Sequence, residues 1–185
     1  MTLLISGLIL WWAAHLFKRV APAARARMGG KGRGVVALAL LVSLALMVLG
    51  YRGAELLPVY TPIAGIGHLN NLLMFVSLFL FGVAPSRGVL SDRIRHPMLL
   101  GTAIWAFAHL LVNGDLASIM LFGGLGAWAI TEMFVINATE AGWNRPEPGS
   151  LKGDAGNLII TVILFAIITG IHVWAGRNPF LGTYG

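Results

Sequence analysis

The sequence predicts an all-α, polytopic membrane protein, a bundle of six transmembrane helices. Apolar residues make up 57% of its 185 residues and charged residues only 11%, whereas a soluble domain carries about 25% charged residues. A membrane-spanning helix needs about 20 apolar residues, with a range of about 17–25. Six apolar runs approach this length and extend a few residues into their loops, at 3–17, 34–51, 68–84, 97–112, 116–135 and 158–175. We therefore expect one transmembrane domain over residues 1–185.

The 13 Lys and Arg residues predict how the helices are oriented. Cytoplasmic loops of membrane proteins carry an excess of basic residues. Here the odd-numbered loops hold nearly all of them: Lys18, Arg19, Arg25, Arg27, Lys31, Arg33, Arg87, Arg93, Arg95, Arg145 and Lys152. The other loops hold only Arg52 and Arg177. This asymmetry predicts a bacterial-type inner membrane protein with its first loop in the cytoplasm and both termini outside.

Composition also excludes several classes of function. The formal net charge of +6 does not indicate nucleic-acid binding, because the basic residues lie in short loops between apolar runs and the expected partner is the lipid bilayer. The chain has no cysteine. Disulfides, thiolate catalysis, cysteine zinc sites and iron–sulfur clusters are therefore excluded. Any metal or cofactor must be held by histidine, carboxylate, methionine or backbone groups.

The fourth run carries a polar stripe centred on a histidine. Residues three or four apart share a helix face, so Thr102, Trp105, His109 and Asn113 should line one side of this helix, facing the bundle interior. Two interpretations stay open for His109. It forms interhelical hydrogen bonds, worth about 1 kcal/mol each, or it binds a metal or haem iron, for which neutral imidazole is a common ligand.

Three further histidines lie near helix ends. His15 comes three residues before Lys18 and is either an interfacial residue or a ligand. His68 opens the third run, where a polar residue often caps a helix, and His172 lies near the outer end of the sixth run. Both His68 and His172 are candidates to line an outer polar pocket with His109.

Glu132 is a carboxylate at the predicted cytoplasmic end of the fifth helix. A charge within a membrane costs free energy unless it is paired, and Arg93, Arg95 and His96 lie at the same side, before the fourth helix. We therefore expect an ion pair between Glu132 and one of these residues. Arg95, His96 and Glu132 together form a candidate cytoplasmic polar site, for which a role in proton transfer or substrate binding is the alternative.

The central part of the sequence resembles the NnrU family of membrane proteins. The similarity is strongest in 95–101 (RHPMLLG) and continues through Trp105, His109 and the Asn-Gly-Asp of 113–115. The segment around His15, followed by basic residues, is similar to the family's first-helix histidine motif. This family is associated with denitrification and nitric-oxide metabolism, and it resembles the 15-cis-zeta-carotene isomerase, a membrane enzyme that contains haem b.

The resemblance implies a function and a ligand set. It implies a haem b-binding protein with an isomerase-like activity on a hydrophobic small molecule, or a redox accessory role. Two histidines bind the isomerase's iron, and by motif position these are His15 and His109, with His68 as the reserve ligand. The isomerase has a cysteine where this chain has Ala106, so ligand exchange to a thiolate is not expected. Counted along their helices, His15 and His109 differ in depth by roughly 8 Å.

Two alternatives come from other classes of function. One is a cofactor-free membrane accessory or assembly factor, in which the histidines only connect helices. The other is a methyltransferase-like membrane enzyme, because the Arg-His-Pro sequence at 95–97 is similar to a motif of membrane methyltransferases. That enzyme's site would contain Arg95, His96 and Glu132.

Overall fold

The computed structural model describes residues 1–140 and 142–180 of the chain. The described residues form seven α-helices: α1 Thr2–Val20, α2 Pro22–Arg27, α3 Lys31–Arg52, α4 Ile66–Ser86, α5 Pro97–Val112, α6 Leu116–Thr139 and α7 Leu151–Trp174. This confirms the predicted all-α class, and all six apolar runs are helical. The extra helix, α2, is a six-residue helix within the first basic loop.

The number of spanning helices differs slightly from the prediction of six. By length and composition, 5 helices can cross a membrane, namely α1, α3, α4, α6 and α7. Helix α5 is apolar but has only 16 residues, which corresponds to about 24 Å. It is shorter because Pro97 begins it and the Asn-Gly-Asp turn ends it. In that turn the Asp115 side chain accepts a hydrogen bond from the backbone N–H of Ser118 and so caps α6.

The long helices contact one another in the order α3, α1, α6, α5, α4, α7, and α3 also contacts α6. We call the side on which α1 begins and α7 ends the terminal side, and the side that carries α2 the basic side. Since successive long helices run in opposite directions, the terminal side also carries the end of α3, the beginning of α4 and the α5–α6 turn. The loops containing Arg87–Arg95 and Arg145 lie on the basic side.

Glycine brings α1 and α3 close together. A Cβ added at Gly50 would collide with the backbone of Leu4, and one added at Gly7 would lie 2.8 Å from the Ser43 carbonyl oxygen. Close approach through small residues is a common way for membrane helices to pack. Leu4 is fully buried in the resulting apolar cluster.

Polar side chains connect α4 to its two neighbours, α5 and α7. The hydroxyl of Ser77 donates to the carbonyl oxygen of Gly101 in α5, at 2.8 Å. On the other flank, the Asn157 amide of α7 donates to the Phe79 carbonyl oxygen at 2.9 Å. These contacts fix how far α5 and α7 are shifted along α4.

Candidate functional site

A cavity of about 640 Å³ opens at the terminal side, between α3, α4, α5, α6 and α7. Its deep part is mainly apolar and includes Met74, Leu78 and Phe165, while Phe122 lines it at the level of His109. Its upper part is polar and contains Asn70, Asn71, His109, Asn113, Thr169 and His172. Charged residues surround the mouth, namely Arg52, Glu55, Asp115 and Arg177. The cavity is thus amphipathic, with its polar end at the terminal side.

His109 projects from α5 into this cavity in a fixed orientation. Its Nδ1 lies 2.9 Å from the carbonyl oxygen of Trp105, and its ring stacks on Phe122 with 4.4 Å between centroids and 25° between planes. A carbonyl can only accept a hydrogen bond, so Nδ1 carries the proton, and Nε2 keeps a lone pair that has no hydrogen-bond partner among the described residues. The predicted inward-facing stripe is confirmed for His109 and Asn113, which both line the cavity.

His172 lines the same cavity from α7. Its Nδ1 lies 2.7 Å from the Ile168 carbonyl oxygen, so its Nε2 keeps a lone pair for the same reason. The prediction that His172 shares an outer pocket with His109 is therefore confirmed. His68, the reserve ligand, is exposed at the beginning of α4 and is not among the residues that line the cavity.

His15 lies in a separate aromatic cluster between α1 and α6. Its ring is 4.3 Å from the rings of both Trp11 and Trp128, measured between centroids. Trp128 follows Phe122, the stacking partner of His109, by six residues of α6, which is about 9 Å along the helix. The structure therefore does not bring His15 to His109, in agreement with the depth difference that the sequence indicates.

The ion pair expected for Glu132 forms, but the predicted partner was wrong. Glu132 Oε1 lies 3.0 Å from Nε of Arg19 in α1, and the two side chains are 9% and 16% exposed. Arg95 instead donates to the Glu140 carbonyl oxygen at 2.9 Å, and His96 Nε2 lies 2.9 Å from Asn137 Oδ1. Glu132 faces α1 because α1, not α5, packs on that side of α6.

Three polar atoms near His15 have no hydrogen-bond partner among the described residues. They are the indole nitrogens of Trp11 and Trp128 and the Oε2 atom of Glu132. Sequence reasoning assigned no hydrogen-bonding role to these tryptophans, because indole rings are common in membrane helices both as apolar filling and as interfacial anchors.

Tyr60 connects the α3–α4 loop to the end of α5, on the terminal side beside the cavity mouth. Its hydroxyl donates to the carbonyl oxygens of Leu110 and Asn113 at the end of α5, and the backbone N–H of Tyr60 donates to the Gly114 carbonyl oxygen at 3.1 Å. Burial, and to a smaller extent the carboxylate of Asp115, raise the pKa of the Tyr60 hydroxyl above its usual value. Tyr60 therefore stays a neutral donor and holds the α3–α4 loop on the α5–α6 turn.

The side chains around the cavity limit which metals the protein could bind. Within residues 1–140 and 142–180, no three or more His, Cys, Asp or Glu side chains are grouped as a metal site would need. A haem iron is different, because the macrocycle supplies four of its ligands and the protein only the axial ones. The cavity offers imidazole nitrogens for that purpose.

Comparison with known proteins gives the family. No curated protein and no solved structure matches this chain. The family described as NnrU protein matches residues 3–179, which covers α1 to α7 and the cavity. The chain therefore belongs to the NnrU family.

Proposed function

We propose that this protein binds haem b in the terminal-side cavity, with His109 as an axial ligand of the iron. The observation that carries the proposal is the state of His109. One ring nitrogen donates to the Trp105 carbonyl oxygen, and the other has no hydrogen-bond partner among the described residues, in a ring that lines a cavity of about 640 Å³. Small-molecule and cofactor sites typically have volumes of about 300–1,000 Å³.

The chemistry of the cavity supports an amphipathic ligand of this kind. Haem is a flat apolar ring with two carboxylates at one edge. The deep part of the cavity is lined by groups such as Leu78 and Phe165, while Arg52 and Arg177 stand at its mouth. Arginine is well suited to bind carboxylates through paired hydrogen bonds. These are the two arginines that lie outside the basic loops, and in this proposal they would pair with the carboxylates.

The hydrogen bonds of His109 argue against the alternative of a cofactor-free accessory factor. In that interpretation the cavity histidines, His109 and His172, connect one helix to another. Within the described residues, however, the bonds of His109 and His172 go to carbonyls of their own helices, four residues earlier. Such bonds orient the ring and select its tautomer but do not join helices, which favours the ligand interpretation.

The proposed role is based on the cavity around His109 and on membership of the NnrU family. Bound haem would supply a redox-active iron. The chain itself would hold that iron through His109 and restrict the imidazole by stacking on Phe122. For its activity we propose an isomerase-like reaction on a hydrophobic small molecule, or a redox accessory role in nitric-oxide metabolism, as the resemblance of the central motif implies. Exchange to a thiolate is not available to this chain, because Ala106 precedes His109 by one turn and no cysteine is present.

The test is haem retention by purified variants. Wild type, His109→Ala and His68→Ala are purified in parallel from cells supplied with haem, and the haem-to-protein ratio is measured from the Soret absorbance. We expect His109→Ala to lose at least ten-fold in haem content. His68→Ala should match the wild type, because His68 lies on the same side of the bundle but outside the cavity.

A second measurement addresses the mouth of the cavity. Protoporphyrin IX should bind to the wild type more tightly than its dimethyl ester, which lacks the carboxylates. The Arg52→Gln/Arg177→Gln variant should show little of this difference. A colourless wild-type protein, or a His109→Ala variant that keeps its haem, would reject the proposed function.

A further inference from the structure

We infer that His172, and not His15, binds the second axial position of the iron. This inference rests on the proposed function, because it concerns the same cavity and the same ligand. It differs from the pairing that the family resemblance implies. Contacts that fix α5 and α7 against α4 support it, together with the cavity that both histidines line.

Helix α4 contacts both α5 and α7, so its residues give a common reference for depth, first for His109. Ser77 of α4 contacts the backbone of Gly101 in α5 at 2.8 Å, and the two helices run in opposite directions. His109 lies about eight residues beyond Gly101 toward the terminal side, which is about 12 Å. The same distance along α4 from Ser77 reaches Leu69, so His109 is level with Leu69.

The depth of His172 can also be measured against the residues of α4. The rings of Phe75 in α4 and Phe165 in α7 lie 5.7 Å apart, and these helices are also antiparallel. Moving toward the terminal side by the six residues from Phe75 to Leu69 corresponds to moving from Phe165 to Ile171. His172 is the next residue, so it lies within about 1.5 Å of the level of His109.

The lateral arrangement is also suitable for two axial ligands. Helices α5 and α7 pack on the two flanks of α4, and both histidines line the one cavity that opens beside it. Each ring donates from Nδ1 to its own helix, at 2.9 Å for His109 and 2.7 Å for His172. Each therefore keeps a lone pair on Nε2.

The other candidate ligands do not meet both conditions. His68 is next to Leu69 in α4 and so is level with His109, but it does not line the cavity. His15 lies about 9 Å from the level of His109, in contact with Trp11 and Trp128 rather than with the cavity. Met74 does line the cavity, but it lies five residues deeper in α4 than Leu69. This places its sulfur-bearing side chain about 8 Å below the level of His109.

The experiment is the coordination state of the iron in three variants. The ferric protein is purified with haem, and its spin state is measured by electron paramagnetic resonance and optical spectroscopy. We expect a six-coordinate low-spin wild type and a five-coordinate high-spin His172→Ala variant. Added imidazole should restore the low-spin spectrum of His172→Ala, and this variant should keep the wild-type haem-to-protein ratio, which a misfolded protein would not show. His15→Ala should keep the wild-type spectrum.

Each other outcome rejects the inference in a recognisable way. A high-spin His15→Ala protein together with a low-spin His172→Ala protein would assign the position to His15 and leave haem binding by His109 intact. A low-spin His172→Ala protein that becomes high-spin only with Met74→Leu would assign it to Met74. A wild type that holds no haem, or holds it equally well as His109→Ala, would remove the proposed function itself.

Discussion

Glu132 and Arg19 form an ion pair in the part of the bundle that faces the basic side. Both residues are mostly buried, and Glu132 Oε1 and Arg19 Nε are 3.0 Å apart. Removing one partner of a buried pair leaves an uncompensated charge and typically costs about 3–5 kcal/mol. Here Glu140 lies 3.6 Å from the same arginine, but it is half exposed, so it contributes little to the pair.

We therefore predict that Arg19→Leu strongly destabilises the protein. Its thermal unfolding midpoint in detergent should fall, because Glu132 loses its counter-ion. The double variant Arg19→Leu/Glu132→Leu should recover most of that loss, since apolar residues of similar volume often replace a buried pair at little cost. A double variant as unstable as Arg19→Leu would show that the arginine stabilises the fold through other contacts.

At the residue scale, sequence reasoning predicted the kind of contact but not the partner. A carboxylate in a membrane helix needs a basic group on its own side, and this predicted the ion pair of Glu132. Its partner depends on which helix lies next to α6, and Arg19 was counted only as part of a basic loop. Similarly, the polar character of His109 was evident, whereas the orientation of its ring depends on a backbone bond to Trp105.

At the element scale, the packing of α1 on α3 depends on glycine. Any side chain at Gly50 would meet the backbone of Leu4. Backbone atoms cannot move aside as a flexible side chain can, so the helices would have to separate. The apolar cluster around Leu4, Leu8 and Met47 would then lose contacts.

We predict that Gly50→Leu lowers the free energy of unfolding. Overpacked sites typically cost about 1–3 kcal/mol, and we expect a loss of this size or larger. The measurement is the fraction of protein that stays monodisperse in size-exclusion chromatography after heating. Gly34→Leu is the matched control, because Gly34 lies in the same helix and nothing lies within 4 Å of its added Cβ. Equal stability of both variants would show that α1 and α3 do not depend on close approach.

The apolar runs predicted the helices well, and their lateral order poorly. Length and hydropathy indicate where a chain crosses a bilayer, because the lipid solvates every apolar side chain in the same way. For this reason the lipid-facing and helix-facing sides of a membrane helix are both apolar. The order of α3, α1, α6, α5, α4 and α7 could not be deduced, and neither could the cavity, whose lining comes from five of these helices.

At the scale of the whole molecule, most of the basic residues and the cavity lie on opposite sides of the bundle. The basic side carries the loops with eleven of the 13 Lys and Arg residues. The cavity opens on the terminal side, where Arg52 and Arg177 stand at its mouth. If basic loops are cytoplasmic, as the positive-inside rule states, a ligand enters this cavity from the outer surface of the membrane or from its outer leaflet.

We predict this orientation, with both termini outside, and the absence of cysteine in the chain allows a clean test. Leu56→Cys places a single thiol in the α3–α4 loop on the terminal side, where Leu56 is 77% exposed. Ala24→Cys places one on the exposed surface of α2 on the basic side. In intact cells, a membrane-impermeant maleimide should label the first variant only, and both should react after the membrane is permeabilised. Labelling of the second variant alone would mean that the bundle is inverted, and labelling of both in intact cells would mean that the chain inserts in two orientations.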